Sequence, residues 1–392
     1  MRKILASSSI LLLLMLLLEI YSPLPAHADG GAPNLAYVSG STAGISVIDV
    51  GQSKVTKTLA ISGDPHTILL SLDGRFLYVT QPALAQVSII AANTGRTLCS
   101  THVAGEPTLL ALDQNSNTLY AAGNGAARVS AIDTTSCAIR HTFQTDSPVY
   151  GLAFGIVGEV GNILWVAGTN DVSIFNTQSA QRIGTIAIAG NPRYLTMPQG
   201  SEVAYVTTQQ GSVDAIAFKT HQAYPLLDGG TFGPMDYDAL TSEVYVPDAR
   251  HNVIDVLSPV NSSMTAPPNE PERVIPISAP PASIAITSDG LLGFVAMQGG
   301  KVAMLDLLDR SIVYTLNVGG NLHFIITGLY PPAGDISLPR SSAPPTTPAS
   351  SGSPLNTIVI ILFTIAGLAL VLFIVLLIVL LRQRDSSGAK RG

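Results

Sequence analysis

The sequence lacks the short motifs that mark most catalytic and redox proteins. It has two cysteines in 392 residues and no C-x-x-C or C-x-x-C-H spacing, so a haem or iron–sulfur cluster has no recognisable anchor. It also has no G-x-S-x-G and no H-E-x-x-H motif, which argues against an α/β-hydrolase and a zinc protease of these types. We therefore predict no catalytic residues, no metal and no cofactor.

Charge is scarce as well. Charged residues are 12% of the chain, against about 25% in soluble domains. Residues 29–354 hold 14 basic and 24 acidic residues, a formal charge of −10 without a basic cluster. An acidic region of this kind argues against nucleic acid as a partner.

Both ends of the chain carry apolar segments. Arg2 and Lys3 precede the apolar run 10–18 and an Ala26-His27-Ala28 site, a pattern typical of an exported signal peptide over residues 1–28. Near the other end, residues 358–381 contain no charge and would span about 36 Å as a helix. We therefore expect a single-pass transmembrane helix at 355–381, with the lipid bilayer as partner.

Basic residues beyond the helix, beginning with Arg382 and Arg384, predict a cytoplasmic tail at 382–392 and an extracellular N-terminal region. Removal of the helix by a sorting enzyme remains open. Residues 331–354 contain seven prolines and eight serines or threonines. This composition favours extended chain, so we predict a semi-rigid stalk between the bilayer and the region 29–330.

An internal repeat organises residues 29–330. An aromatic residue followed by a small or β-branched one recurs at spacings of 41, 42, 45, 40, 40 and 49 residues. The seven pairs are Tyr37-Val38, Tyr78-Val79, Tyr120-Ala121, Trp165-Val166, Tyr205-Val206, Tyr245-Val246 and Phe294-Val295. Four short strands fill such a period, which predicts an all-β fold, a seven-bladed β-propeller of four-stranded blades.

One repeat shows the expected strands. Strand A covers 66–71, strand B 76–80, strand C 87–92 and strand D 97–103, with hairpin turns at Asp73-Gly74 and Asn93-Thr94-Gly95. The chain begins with a B strand at 35–39 and ends with an unpaired A strand at 322–328. We expect these two segments to pair in the first blade, closing the ring and removing its free edges.

The repeat resembles the YVTN-type β-propeller family of bacterial and archaeal surface proteins. The matching residues are Gly63-Asp64-Pro65-His66, Ser71-Leu72-Asp73-Gly74-Arg75, Tyr78-Val79-Thr80, Val47-Ile48-Asp49 and Thr94-Gly95. The resemblance covers about residues 35–330 and implies the propeller fold. It does not imply one activity, because related propellers include surface proteins, lactonases and redox-protein subunits. The sixth repeat departs most, since Pro234 precedes Tyr245 by 11 residues instead of 13.

The mouth of the central tunnel is the candidate ligand site. In the propeller, the residue after each Pro position should point towards this opening; around the ring these are His323, His66, Thr108, Val149, Arg193, Gly233 or Met235, and Ala282. We select His66, Arg193, His323 and Thr108 as ligand-binding candidates. Two histidines and an arginine could hold an anion or give a metal two ligands. Equally, a histidine here is common in the family and often only lines the tunnel.

Three further features have simpler interpretations. Cys99 and Cys137 fall at different repeat positions, which favours free or buried thiols, although export permits a disulfide. Asp49, Asp133 and Asp306 end C strands, where carboxylates cap turns. The proline-rich segment 258–271 is a recognition loop or a tolerated insertion, with equal support for each.

Three functions follow. The leading one is a non-enzymatic, membrane-anchored, monomeric surface propeller that binds a protein, a glycan or an envelope component. The alternative is an extracellular lactonase- or lyase-like enzyme acting at the tunnel mouth. A structural lattice protein is the third, and a single anchored copy on a stalk makes it less attractive.

Overall fold

The computed structural model describes residues 34–123, 125–264 and 266–339, which form an all-β seven-bladed propeller as the repeat predicted. The predicted signal peptide, the predicted transmembrane helix 355–381 and the predicted tail 382–392 lie outside the described residues. Within the described part of the chain, no helix is long and apolar enough to cross a membrane.

The strands are numbered in chain order and grouped here by blade. Blade 1 has β1 (Leu35–Ser41), β2 (Gly44–Asp49) and β3 (Lys54–Ala60); blade 2 has β4 (Ile68–Leu70), β5 (Phe76–Gln81), β6 (Gln86–Ala91) and β7 (Thr97–His102); blade 3 has β8 (Pro107–Asp113), β9 (Thr118–Gly123), β10 (Arg128–Asp133) and β11 (Ile139–Gln144); blade 4 has β12 (Gly151–Val157), β13 (Gly161–Ala167), β14 (Asp171–Asn176) and β15 (Arg182–Ala187).

The remaining blades follow the same order. Blade 5 has β16 (Pro192–Thr196), β17 (Val203–Thr208), β18 (Ser212–Ala217) and β19 (Gln222–Asp228); blade 6 has β20 (Asp236–Tyr237), β21 (Val244–Asp248), β22 (Val253–Leu257) and β23 (Arg273–Pro276); blade 7 has β24 (Pro281–Ile286), β25 (Leu292–Met297), β26 (Lys301–Asp306) and β27 (Ser311–Asn317); β28 (Ile325–Gly328) returns to blade 1. Two 3₁₀ turns, Pro82–Leu84 and Gly158–Val160, complete the described elements.

The hydrophobic core lies between the blades. Each of seven buried clusters joins residues of two neighbouring blades, including the last and the first. Strands B and C are therefore buried on both faces; all six residues of β2 are buried, whereas β3 on the outer edge is mostly exposed. The repeated aromatic residues are central to this packing, and Tyr37, Trp165 and Phe294 are each 0% exposed. Burial of such large side chains is the main term that holds the ring together.

The ring closes as the unpaired strands predicted. β28 pairs antiparallel with β1, with Leu35 opposite Gly328 and Val38 opposite Ile325, so the end of the propeller supplies the innermost strand of the first blade. The predicted Asp-Gly turn is also present. Gly74 has a φ of +69°, and its N–H donates to Ser71 O at 2.9 Å, a backbone conformation that favours glycine.

Two blades depart from the repeat. In blade 4 the hairpin between strands A and B is longer than in the other blades, since Gly155 pairs with Ile163 and Val157 pairs with Gly161. In blade 6 the innermost strand β20 has only two residues, and an isolated bridge joins Phe232 to Asp248. This shortened strand is the physical counterpart of the irregular proline spacing in the sixth repeat.

A disulfide joins Cys99 of β7 to Cys137 in the next blade, with Cα atoms 6.3 Å apart, so the prediction of free thiols was wrong. Cys137 has a φ of +59° and lies at the position that Gly95, with a φ of +74°, occupies in the equivalent turn of blade 2. The turn between strands C and D packs against strand D of the preceding blade, as the Thr101 hydroxyl bonded to the Cys137 carbonyl shows. This packing brings the two sulfur atoms together.

The chain continues along one face of the propeller after β28. We call it the turn face, because the turns between strands A and B and between strands C and D form it. The Tyr330 hydroxyl donates to Asp49 Oδ2 at 2.8 Å. Arg96 Nη2 donates to Asp335 Oδ1 and to Ile336 O, both at 2.7 Å. Of the residues predicted as a stalk, 331–339 are described and follow this face; 340–354 lie outside the described residues.

Candidate functional site

The opening opposite the turn face is formed where the A strands begin, and we call this side the mouth face. Hydrogen bonds at equivalent positions define the residues at the opening: His66 N–H donates to Thr80 O at 3.1 Å, and Tyr150 N–H donates to Ala167 O at 2.8 Å. Blade 4 therefore contributes Tyr150. The assignment of Val149 was wrong, because Val149 is fully buried in the cluster between blades 3 and 4.

The equivalent hydrogen bond identifies the residue at the opening in blade 6. Gly233 N–H donates to Pro247 O at 3.0 Å, which makes Gly233, and not Met235, the residue at the opening. Both corrections have one cause. In blades 4 and 6 the proline used to align the repeats is shifted by one or two residues. The backbone hydrogen bond to strand B identifies the residue that lies at the opening.

His66 and His323 are brought together at the mouth. Their rings stack with centroids 4.6 Å apart and planes inclined by 18°. Asp64 Oδ1 lies 3.3 Å from His323 Nε2. Between their backbones, the Ser39 hydroxyl donates to the His66 carbonyl and accepts the Phe324 N–H at 3.1 Å. The two imidazoles are thus fixed by the junction between blades 1 and 2.

The electrostatics of the pair make His66 uncharged at neutral pH. Burial lowers the pKa of His66 to about 4, and the neighbouring His323 acts in the same direction against the opposing effect of Asp64. A neutral imidazole has one donor and one acceptor nitrogen. The His66 ring also makes a hydrogen bond with the Thr108 backbone. His66 is therefore poorly suited to attracting an anion.

Arg193 and Thr108 occupy other parts of the opening. Arg193 lies over the Tyr150 ring, with Cζ 4.1 Å from its centroid, and its guanidinium also bonds to the Gln209 side chain. This is a cation–π arrangement that holds the guanidinium between blades 4 and 5. Thr108 contacts blade 2, which carries His66, through its backbone. Its carbonyl accepts a hydrogen bond from the Thr67 hydroxyl at 2.5 Å. The structure therefore joins His66 and His323 directly but holds Arg193 through different contacts.

Below the mouth lies a cavity of about 200 Å³, lined by the innermost strands of all seven blades. At the mouth it is lined by His66 and Thr67, and at the turn face by Asp113, Gln114 and Asn115. Its middle is mostly apolar, with Leu69, Leu109, Phe154, Leu195, Met197, Ile284 and Phe324 among the lining residues. Asp236 of β20 also lines it, opposite Tyr245 as Leu69 is opposite Tyr78. Sequence reasoning missed this interior. The available signal was the run of apolar residues along A strands such as β8 and β12.

The aspartates that end the C strands already accept hydrogen bonds from neighbouring groups. Asp133 Oδ1 accepts the Thr135 N–H at 2.7 Å, and Oδ2 accepts Arg140 Nε at 2.9 Å. Burial raises the pKa of Asp133, but hydrogen bonds from Thr135 and Arg140 outweigh it and lower that pKa to about 2. Asp306 Oδ1 likewise accepts two backbone N–H groups at 2.9 Å. These contacts bear out the turn-capping interpretation.

Two carboxylates on C strands are different. Serine occupies this strand position in blades 1 to 4, at Ser46, Ser88, Ser130 and Ser173, but blade 5 has Asp214 and blade 6 has Asp255. Burial raises the pKa of each aspartate to about 6, helped by Asp228 for Asp214 and by Asp248 for Asp255. Within the described residues no group of three or more His, Cys, Asp or Glu side chains is placed to hold a metal.

The proline-rich segment of blade 6 is attached to blade 5. Val260 is buried, and its N–H donates to the Tyr205 hydroxyl at 2.9 Å. The Ser262 hydroxyl donates to Glu202 Oε2 at 2.8 Å. These contacts give the first part of the segment a packing role between the blades.

Comparison with known proteins identifies the fold. No protein-family model matches the chain, and no curated protein matches it. Among solved structures, the β-propeller domain of Cps50 (Swd1) from Myceliophteria thermophila has a TM-score of 0.58 at 13% identity, covering 67% of this chain and 88% of that one. The dihydro-heme d1 dehydrogenase NirN in complex with DHE has a TM-score of 0.56 at 12% identity, covering 78% of each chain.

Apo AztD from Citrobacter koseri has a TM-score of 0.56 at 11% identity, covering 76% of this chain and 99% of that one. At such low identity these similarities define the class of protein alone, a β-propeller. These proteins differ in function, and the fold is shared among them.

Proposed function

We propose that this chain is an exported, membrane-anchored propeller of the YVTN type that binds an envelope ligand at the His66–His323 mouth without transforming it. The observation that carries the proposal is the cavity of about 200 Å³ beneath that mouth. Concave, mostly apolar sites with a few polar groups are typical of ligand-binding proteins.

Membership of the YVTN type is supported by the role of the third motif residue. Thr80 Oγ1 accepts the Thr67 N–H at 2.8 Å, and Thr207 Oγ1 accepts the Tyr194 N–H at 3.1 Å. In both blades a threonine hydroxyl on strand B accepts a hydrogen bond from a backbone N–H near the start of strand A. The Tyr-Val-Thr pattern thus has a structural reason at the tunnel wall.

Anchoring is supported by the sequence of both termini and by the path of residues 330–339. This stretch follows the turn face, and Leu338 packs against the cluster between blades 2 and 3. The chain therefore leaves the propeller on the face opposite the mouth. In our proposal the mouth is not covered by this stretch and is open to extracellular material.

Binding is favoured over catalysis by the chemistry of the mouth. A histidine whose pKa is about 4 is a weak base at neutral pH, and the turn carboxylates are occupied by backbone donors. A lactonase- or lyase-like enzyme needs a group whose pKa is near the working pH. His66 does not meet that requirement.

Native mass spectrometry of the full chain tests this function. The protein is incubated with extracted envelope glycans and lipids, and the wild type is compared with the double variant H66A/H323A. H102A is the matched control, because His102 is exposed on the outer strand β7. We expect a bound mass that the double variant loses and H102A keeps. Absence of any bound mass, or equal retention by both variants, contradicts the proposal.

A further inference from the structure

One level of the cavity is formed by the strand-A residues that pair with the repeated aromatic residues of strand B. In all seven blades the strand-A residue opposite that aromatic residue lines the cavity. From blade 1 to blade 7 these residues are Ile326, Leu69, Ala111, Ala153, Thr196, Asp236 and Ala285. Most are aliphatic. Blade 6 instead places a carboxylate at this level, and the neighbouring blade 5 places a hydroxyl there.

Asp236 is buried and is held in place by the next blade. Only 7% of the residue is exposed, and its Oδ2 accepts the Ile286 N–H of β24 at 2.7 Å. A neutral N–H positions a carboxylate but does not balance its charge. Because opposite charges attract more strongly where water is excluded than in bulk water, a cation inside the cavity gains from the Asp236 carboxylate.

The lining of the cavity as a whole favours a positive charge. Within the part of the chain that the structure describes, the lining includes two aspartates and neither a lysine nor an arginine. Burial lowers the pKa of His66 to about 4, so this ring adds no charge at neutral pH. Arg193 lies at the opening over the Tyr150 ring and does not belong to the lining. An anionic occupant would therefore be repelled.

Of the two aspartates in the lining, Asp236 is the better anchor for a ligand. Asp113 lies at the turn-face end and already accepts four hydrogen bonds. Oδ1 accepts the Asn115 N–H at 3.1 Å and the Ser116 N–H at 3.2 Å. Oδ2 accepts Ser116 Oγ at 2.7 Å and Asn162 Nδ2 at 2.9 Å. A carboxylate has about four acceptor sites, so those of Asp113 are filled by the protein itself.

The other lining residues indicate an organic cation and not a metal ion. Four aromatic residues line the cavity, namely Phe154, Tyr194, Tyr237 and Phe324. Aromatic residues are typical of sites for organic ammonium ions, which they stabilise through the ring electrons. Metal ions such as calcium instead require several oxygen ligands. Among the described residues, no group of three or more His, Cys, Asp or Glu side chains could hold a metal.

We propose that the tunnel binds a protonated organic amine, with its ammonium group at Asp236 and its apolar part against the surrounding lining. This rests on the proposed function and names the class of ligand for the same site. The Thr196 hydroxyl, at the same level in blade 5, offers a further acceptor. A cavity of ~150 Å³ holds benzene, so the cavity of about 200 Å³ accommodates an amine of the size of benzylamine.

A ¹⁹F NMR titration of the full chain in nonionic detergent tests this assignment. The ligands are 4-fluorobenzylamine, which is protonated at pH 7, and 4-fluorobenzyl alcohol, which has the same ring and no charge. We expect the amine to bind at least about tenfold more tightly than the alcohol, because hydrogen bonds to charged groups are stronger than neutral ones. Equal affinities for the two ligands would overturn the proposal.

The variant D236N separates the charge of Asp236 from its structural contact, because an amide oxygen can still accept the Ile286 N–H. We expect D236N to lower the affinity for the amine at least about tenfold and that for the alcohol by less than about twofold. D113N removes the same charge from the same lining and should lower the affinity for the amine by less than about threefold.

Urea unfolding of both variants establishes that they are folded. If the role of Asp236 is only structural, D236N leaves the ratio of amine to alcohol affinity unchanged, and the proposal is wrong. An equal loss of amine affinity in D236N and D113N also overturns it. Where D236N fails to fold, the preference of the wild type for the amine over the alcohol still decides the question.

The two proposals fail in different ways. If amine and alcohol bind equally but the envelope ligand is still lost in H66A/H323A, the tunnel assignment is wrong and the mouth function stands. If D236N abolishes the preference for the amine but envelope binding is indifferent to the histidines, the proposed function is wrong and the amine site stands.

Discussion

The buried hydroxyl of Tyr37 has no hydrogen-bond partner in the described residues, and Ala92 accounts for it. In the next two blades the equivalent tyrosines bond to a threonine of the following blade, Tyr78 to Thr134 and Tyr120 to Thr177. Ala92 occupies the position of those threonines, directly after the last residue of strand C. The junction of blades 1 and 2 therefore leaves a buried polar group unsatisfied.

We expect A92T to stabilise the propeller by about 1 kcal/mol, the usual net value of one hydrogen bond. The measurement is the free energy of unfolding in urea. A double-mutant cycle with Y37F isolates the new contact: Y37F alone should be nearly neutral, whereas Y37F in the A92T background should remove the gain. Y120F, which breaks an existing bond, should destabilise by a similar amount. A gain in A92T that survives Y37F would refute the pairing.

Asp214 and Asp255 predict a pH-dependent stability. Their pKa of about 6 in the folded protein exceeds the ~3.9 of an unfolded aspartate. The folded state thus binds more protons between these values, and the free energy of unfolding falls as pH rises from about 4 through about 6. D214S and D255S, which restore the serine of the other blades, should each add about 1 kcal/mol at pH 8, a value reduced for solvent screening.

The gain from D214S and D255S should vanish below about pH 4, where both carboxyls are protonated in either state. D309S is the matched control, because Asp309 is exposed in a turn of blade 7. Urea titrations at pH 4, 6 and 8 measure the effect. Variants that are equally stabilised at all three pH values would show that desolvated charge is not the cause.

The Cys99–Cys137 disulfide closes a segment with a sequence separation of 38 residues. Chain-entropy arguments give about 3–4 kcal/mol for a loop of this size. We expect the double variant C99S/C137S to lose that amount and to become insensitive to reducing agent. Wild type measured with and without reductant provides the comparison. Equal stability of the oxidised and reduced wild type would mean that the contacts between blades 2 and 3 already fix this turn.

Removal of β28 should open the ring. A chain ending at residue 321 lacks the strand that pairs with Leu35–Ser41, so we expect loss of cooperative unfolding and exposure of an unpaired sheet edge. A chain ending at residue 339 keeps the strand and is expected to unfold as a single transition. Calorimetry of the two truncated proteins distinguishes these outcomes. A cooperative transition in the shorter protein would show that six complete blades and an incomplete blade 1 are sufficient for cooperative folding.

The sequence predicted the fold well because the repeat is local. Each Tyr-Val pair marks a buried strand B, and the unpaired strands at the two ends predicted closure by β28. The cysteine pairing could not be read in the same way. It depends on how the turn between strands C and D of one blade packs against strand D of the preceding blade, a contact between blades that the repeat within one blade does not define.

The residues at the tunnel opening were predicted in part, and ligand binding by them stays a prediction. His66 and His323 were matched because a glycine precedes each by three residues, at Gly63 and Gly320, and their rings stack at the mouth. Tyr150 was missed because Pro148 is shifted by one position, and backbone pairing outweighs that shift. The tunnel interior was missed because apolar residues on an inner strand look the same whether they face a neighbouring blade or an open channel.

Closure by β28 also orders events during synthesis. The edge of β1 has no partner until residues 325–328 have been made, and at ~5–20 residues per second that delay is on the order of tens of seconds. During this time the nascent chain presents an open, apolar sheet to its surroundings, a hazard for aggregation. The blade that emerges first is completed last. A cell that makes this protein must therefore shield its N-terminal blade until translation has passed the final strand.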